Sequence, residues 1–118
     1  SLNRNYSYSK VIIPDGTTVR NCNFVARKPH TKAIEGKNLT FIDCNMINIE
    51  DDLTWTRIES NITQIKRVIK SQEDLGNGTT KFLISHQVEQ EDKIFKEVEV
   101  DTEIIDNADL PNALLYFQ

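Results

Sequence analysis

Two cysteines and two histidines, Cys22, His30, Cys44 and His86, are the side chains of this chain best suited to hold a transition metal. Thiolate and imidazole are zinc ligands, but zinc sites supply them as short-spaced pairs such as Cys-x-x-Cys. Here the cysteines stand 44 − 22 = 22 residues apart with no such pair. Ser85 precedes His86, which formally offers a nucleophile and a base. No Gly-x-Ser-x-Gly turn surrounds them to expose the hydroxyl. Glu50-Asp51-Asp52 is the one acidic run that could bind calcium or serve as paired carboxylates, and its position between apolar segments reads as a solvated turn. A glycine-rich phosphate loop is missing from the sequence. These residues therefore predict no catalytic site, no metal and no cofactor, and the chain is expected not to be an enzyme.

Composition narrows the remaining classes. With 118 residues, 38% hydrophobic and 27% charged, the chain has the makings of one small folded domain with an appended arm. The net charge of −4 and pI near 5.1 disfavour a nucleic-acid or membrane-surface partner, since both need a basic excess. No apolar run approaches the roughly 20 residues that span a bilayer. The start, Ser1 to Tyr6, has no apolar stretch, so a signal peptide is expected to be absent or already removed. Asn-x-Ser/Thr triplets at Asn38, Asn61 and Asn77 are read as chance products of an Asn- and Thr-rich chain.

The elements that would position any site are announced by an internal repeat. Thr18-Val19-Arg20-Asn21-Cys22-Asn23-Phe24, Thr40-Phe41-Ile42-Asp43-Cys44-Asn45-Met46 and Thr56-Arg57-Ile58-Glu59-Ser60-Asn61-Ile62 all read Thr-x-x-x-small-Asn-apolar. Their offsets of 22 and 60 − 44 = 16 residues suit coils of a parallel β-solenoid, the first carrying an insertion. Alternation along strands places Cys22, Phe24, Ile42, Cys44, Met46, Ile58, Ser60 and Ile62 inward. Arg20 breaks that pattern, as an end cap would. Asn23, Asn45 and Asn61 are placed to stack as an amide ladder. Three strands of an antiparallel sandwich could show the same triplets by coincidence. A disulfide between neighbouring coils is conceivable, though not expected of a cytosolic product.

The solenoid is expected over residues 1–70, with 71–118 forming a β-hairpin and a C-terminal arm. Gln64 to Lys70 reads as a further strand or a short helical turn, and Glu73 to Gly78 as a break. Thr80 to Val88 and Lys93 to Val100 alternate as an antiparallel pair. Two segments are the expected contact surfaces. One is the basic, Pro-broken loop bearing Arg27, Lys28 and Lys32. The other is the apolar end Leu114, Leu115, Tyr116 and Phe117, which must dock on its own fold or on another chain. The Leu-Tyr-Phe-Gln end also resembles a protease-site remnant, and truncation of a longer chain is a third account of it.

The stretch from Val11-Ile12-Ile13-Pro14-Asp15-Gly16-Thr17-Thr18 through Phe24, with Pro29-His30-Thr31 and Leu39-Thr40-Phe41-Ile42-Asp43-Cys44-Asn45-Met46, resembles a group of short proteins encoded in the structural gene modules of tailed bacteriophages. The likeness covers about residues 11 to 65. Members of that group carry additional Cys and His after the repeats, which this chain lacks. The resemblance implies a virion protein made in the bacterial host cytoplasm, a capsid decoration or head-associated component that works by protein–protein assembly, as a homo-oligomer with a trimer favoured. The alternative is a tail-fibre or baseplate module that binds host glycans, with Trp55, Tyr6 or Tyr8 stacking on sugar rings.

Overall fold

The computed structural model describes residues 10–115, which divide into two compact units, 10–65 and 66–115. Strands dominate both, and the fold is all-β apart from a 3₁₀ turn at Asn107–Asp109 and one short helix, α1 (Leu110–Leu115). The first unit consists of β1 (Val11–Ile12), β2 (Thr18–Arg20), β3 (Asn23–Val25), β4 (Ile34–Glu35), β5 (Thr40–Ile42), β6 (Asn45–Ile47), β7 (Thr56–Ile58) and β8 (Asn61–Thr63). The second consists of β9 (Ile65–Asp74), β10 (Thr79–Glu89) and β11 (Phe95–Asp106), followed by α1.

All sheets of the first unit are parallel. They run β1-β4, β2-β5-β7 and β3-β6-β8. Their register aligns Thr18, Thr40 and Thr56 in one column and Asn23, Asn45 and Asn61 in another. Between the two three-residue strands of each repeat stands one residue with positive φ: Asn21 at 54°, Asp43 at 52° and Glu59 at 54°. A left-handed residue turns the chain sharply and costs a non-glycine about 1–2 kcal/mol. After each corner comes the small residue. Cys22 Sγ donates to the Arg20 carbonyl at 3.3 Å, Cys44 Sγ to the Ile42 carbonyl at 3.4 Å and Ser60 Oγ to the Ile58 carbonyl at 3.3 Å. Thiol and hydroxyl perform the same closure, so cysteine and serine share one position of the repeat.

This corner corrects the inward set expected from alternation. Phe41, Cys44 and Met46 are buried, whereas Ile42 is half-buried and Ile58 is 48% exposed, and neither joins the core. The left-handed residue resets the phase between the two short strands, so Phe41 faces in before the corner and Cys44 after it. Arg20 consequently breaks nothing. It shares the outward column with Ile42 and Ile58, and Val19 packs inward above Phe41. Cys22, Phe24 and Ile62 pack at the rim of the core, while Ser60 is half-buried.

Leu39, Phe41, Met46, Ile49 and Trp55 complete the centre. The Phe41 ring meets Phe24 edge-on at 6.1 Å and Trp55 at 5.1 Å. Full burial of such side chains contributes roughly 1.5–3 kcal/mol each.

The second unit is an antiparallel sheet ordered β11-β10-β9. The pairing of β10 with β11 runs from Thr79 opposite Asp106 to Glu89 opposite Phe95, with a bulge that leaves Val98 without an opposite residue. Phe82, Ile84 and Ile105 form one apolar face, covered by Ala113 and Leu110 and flanked by Ile69.

Candidate interaction surface

Asn48 and Gln64 anchor the loop that bears Arg27, Lys28 and Lys32. Asn48 is 4% exposed and adopts φ 65°. Its Nδ2 donates to the Ala26 carbonyl at 2.9 Å, and its Oδ1 accepts from the Ile65 N–H at 2.6 Å. Gln64 is also buried. It accepts from the His30 N–H at 2.6 Å and donates to the Ile49 carbonyl at 2.7 Å. Within the loop Thr31 Oγ1 donates to the Lys28 carbonyl at 2.6 Å, and His30 takes φ 57°. Arg27, Lys28 and Lys32 are thus exposed on a loop whose backbone is fixed by buried amides. The sequence reading missed both amides. A sequence signal for them is period-two alternation, since Asn48 and Gln64 stand two residues after the inward-facing Met46 and Ile62.

Lys32 also borders a groove of about 300 Å³ together with Lys37, Glu50, Asp51, Asp52 and the edge of Trp55. Here the acidic run is occupied with structure. Asp52 accepts from the Thr54 N–H and hydroxyl, both at 2.8 Å. Those bonds hold its carboxyl below the usual carboxylate range, with a smaller contribution from Lys37. Asp51 binds Arg57. Trp55 is buried against Phe41, and its Nε1 donates to the Gly36 carbonyl at 2.9 Å. Tyr6 and Tyr8, the other residues named for sugar stacking, lie outside the described residues.

A second groove of about 350 Å³ crosses β3, β6 and β8 over the asparagine column, bordered by Val25, Ile47, Thr63 and Ile65. Asn45 Nδ2 donates to Asn23 Oδ1 at 3.2 Å, making the first step of the ladder. The outer strands of this unit are β2 and β7 in one sheet and β3 and β8 in the other. Exposed apolar side chains sit on them, notably Val25 at 70% and Ile58 at 48%. An outer strand presents backbone donors and acceptors to any strand that approaches.

The apolar C-terminal segment docks partly on its own unit. Ala113 is buried and Leu110 packs beside it on Phe82, Ile84 and Ile105, while Leu114 and Leu115 remain exposed at 41% and 52%. Tyr116 and Phe117 lie outside the described residues.

Cys22 and Cys44 are both free thiols, and among the described residues no cluster of three potential metal ligands occurs. Ser85 and His86 point to opposite sides of β10. Ser85 Oγ donates to Glu97 Oε1 at 2.7 Å, and His86 Nε2 lies 2.5 Å from Asp101 Oδ2. No protein family, curated protein or solved structure matches the chain.

Proposed function

We propose that residues 10–65 form a short β-solenoid of three coils and that the chain is a virion component of a tailed bacteriophage, a capsid decoration or head-associated protein that acts by binding other protein chains. The observation that carries the assembly reading is the three-deep parallel register of the threonine and asparagine columns, with apolar side chains exposed on outer strands. A stack of only three coils buries little core, so an added surface at its ends stabilises it. The same repeats carry the resemblance to phage structural modules, which is what supports the virion part of the proposal. Arg27, Lys28 and Lys32 are the proposed polar contacts, on a loop already ordered before any partner arrives. Such preordering reduces the entropy lost on binding.

The test is co-sedimentation of the purified chain with empty phage heads. Binding that weakens in a variant carrying Arg27→Glu, Lys28→Glu and Lys32→Glu supports the reading. A chain that ignores heads and tails alike at all salt concentrations overturns it.

A further inference from the structure

The loop that joins β9 to β10 carries an asparagine followed directly by glycine, Asn77-Gly78. Every other asparagine of the sequence precedes a residue with a side chain. Asn77 is exposed, as are Gly76 and Gly78 on either side of it. Space around Gly78 is open, since a Cβ built there would meet nothing within 4 Å. The Asn77 side chain is nevertheless held in place. Its Oδ1 accepts the Thr79 N–H at 3.2 Å and the Thr79 hydroxyl as well. This is the turn an asparagine makes by bonding the backbone two residues on. Neither the Gly78 N–H nor the Asn77 Nδ2 makes a hydrogen bond to another described residue.

We infer that Asn77 is a site of spontaneous covalent modification, in which its side chain closes on the Gly78 backbone nitrogen and water opens the resulting imide. The inference is independent of the virion reading. Hydroxide removes the Gly78 N–H proton, and the nitrogen attacks Asn77 Cγ. As that N–C bond forms, the Cγ–Nδ2 bond breaks. Nδ2 leaves as ammonia with a proton from water, which regenerates the hydroxide. Water then adds to either carbonyl of the imide and the C–N bond there breaks, leaving an aspartyl or an isoaspartyl residue. The structure favours the first step at both ends. Glycine leaves the attacking nitrogen unshielded, having no Cβ. Negative charge develops on Oδ1, the atom that already faces two Thr79 donors, and donors placed where charge develops lower the barrier.

The two products act differently on the fold. The Gly78 carbonyl accepts the Asn107 N–H at 2.8 Å, and Asn107 Oδ1 accepts the hydroxyl of buried Thr80 at 2.6 Å. Asn107 begins the 3₁₀ turn that leads into α1. An isoaspartyl residue inserts a methylene into the main chain directly before Gly78, which displaces the carbonyl that Asn107 bonds. An aspartyl residue leaves the chain unaltered and strengthens both Thr79 bonds, because its acceptor is charged.

The experiment incubates the folded full chain in heavy-oxygen water at neutral and mildly alkaline pH, followed by isoelectric focusing and peptide mass mapping. A more acidic form carrying one heavy oxygen at residue 77 is expected ahead of conversion at any other asparagine, and faster at the higher pH. Thr79→Val keeps the backbone donor and removes the hydroxyl, so it should slow the conversion. Gly78→Ala should suppress it over the time in which half the wild type converts. Gly78 has φ 84°, so circular dichroism accompanies that variant, and Thr79→Val carries the test if alanine disturbs the sheet. On the separated products, hydrogen exchange at residues 107–115 should be faster in the isoaspartyl form alone. A folded chain that stays unmodified, while the same chain in urea converts, shows that the loop protects the pair and overturns the inference. So does earlier conversion at a different asparagine. A Thr79→Val variant that converts at the wild-type rate overturns the role given to Thr79.

Discussion

The Ser60 hydroxyl donates to the Ile58 carbonyl at 3.3 Å, across a backbone that turns through positive φ at Glu59. The same oxygen accepts the Cys44 N–H at 3.2 Å from the neighbouring repeat. One atom therefore closes its own corner and ties it to the strand beside it. Ser60→Ala removes both bonds and leaves a part-buried N–H without its acceptor, an expected cost of about 1–3 kcal/mol. Ser60→Cys keeps a donor at the corner and should cost less. Urea unfolding of the two variants checks the order; equal stabilities would remove the corner bond from the account of the repeat.

Cys44 tests the same geometry from within the core. It is 1% exposed, and its thiol also approaches the Val19 carbonyl at 3.5 Å. Cys44→Ser keeps the donor and nearly the volume. Cys44→Val loses the donor and branches at Cβ where the chain has just turned, with an overpacking cost of typically about 1–3 kcal/mol. The serine variant should be the more stable by urea unfolding, although valine is the more apolar residue. A valine variant as stable as wild type would show that the site asks only for bulk.

Much of this unit was legible in the sequence and one part was not. The columns of threonine and asparagine followed from spacing, because residues that pair in register across parallel strands must recur at matching positions. The inward set was misread at Ile42 and Ile58, because alternation assumes continuous extended backbone. Asp43 and Glu59 interrupt it, and no residue type there announces a left-handed turn as glycine would. Burial of Asn48 and Gln64 was missed for another reason: alternation from Met46 and Ile62 points both inward, but both are polar, and the backbone groups that pair with them leave no trace in residue identity. In the second unit, the break was readable at Leu75 to Gly78, while Glu73 and Asp74 belong to the end of β9. Gln64 to Lys70 was readable as a further strand, with a helical turn as the alternative, and β9 is that strand, although it runs on to Asp74.

Asn48 is expected to be among the most sensitive polar positions. Alanine there loses the bonds to the Ala26 carbonyl and the Ile65 N–H and must hold positive φ without an amide. Each buried group left unpaired costs about 1–3 kcal/mol. Asn48→Ala should therefore destabilise the chain by about 3 kcal/mol or more. It should also speed hydrogen exchange in the basic loop. Unchanged exchange at residues 26–32 would show that the loop is held by other means.

Trp55 separates packing from ligand contact. Trp55→Phe keeps a ring against Phe41 and forfeits the bond to the Gly36 carbonyl, an expected loss of about 1 kcal/mol. Trp55→Ala opens the core and should cost about 3–5 kcal/mol. Gly36 has little room to adapt, since a Cβ there would lie 2.5 Å from the Ile13 carbonyl oxygen. Thermal unfolding of the two Trp55 variants gives the comparison. If Trp55→Ala keeps full stability and instead loses binding on a glycan array, the residue serves a sugar rather than the core.

The antiparallel sheet should weaken in acid through Glu97. The Ser85 hydroxyl and, after it, Lys70 at 3.3 Å hold its carboxyl below the ordinary 4.5. A carboxylate whose pKa is depressed by folding binds protons more readily in the unfolded chain. Its stabilisation is then fully present above pH 4.5 and is lost as pH falls through the lower folded value. Glu97→Gln cannot titrate, so between those limits its stability should change less steeply with pH than that of wild type. Because the bond to Ser85 is the larger cause, Ser85→Ala should flatten the profile more than Lys70→Met does. Unfolding midpoints measured from pH 7 downwards provide the comparison. Parallel profiles for wild type and Glu97→Gln would mean that the link between Ser85 and Glu97 adds nothing to the stability of the sheet.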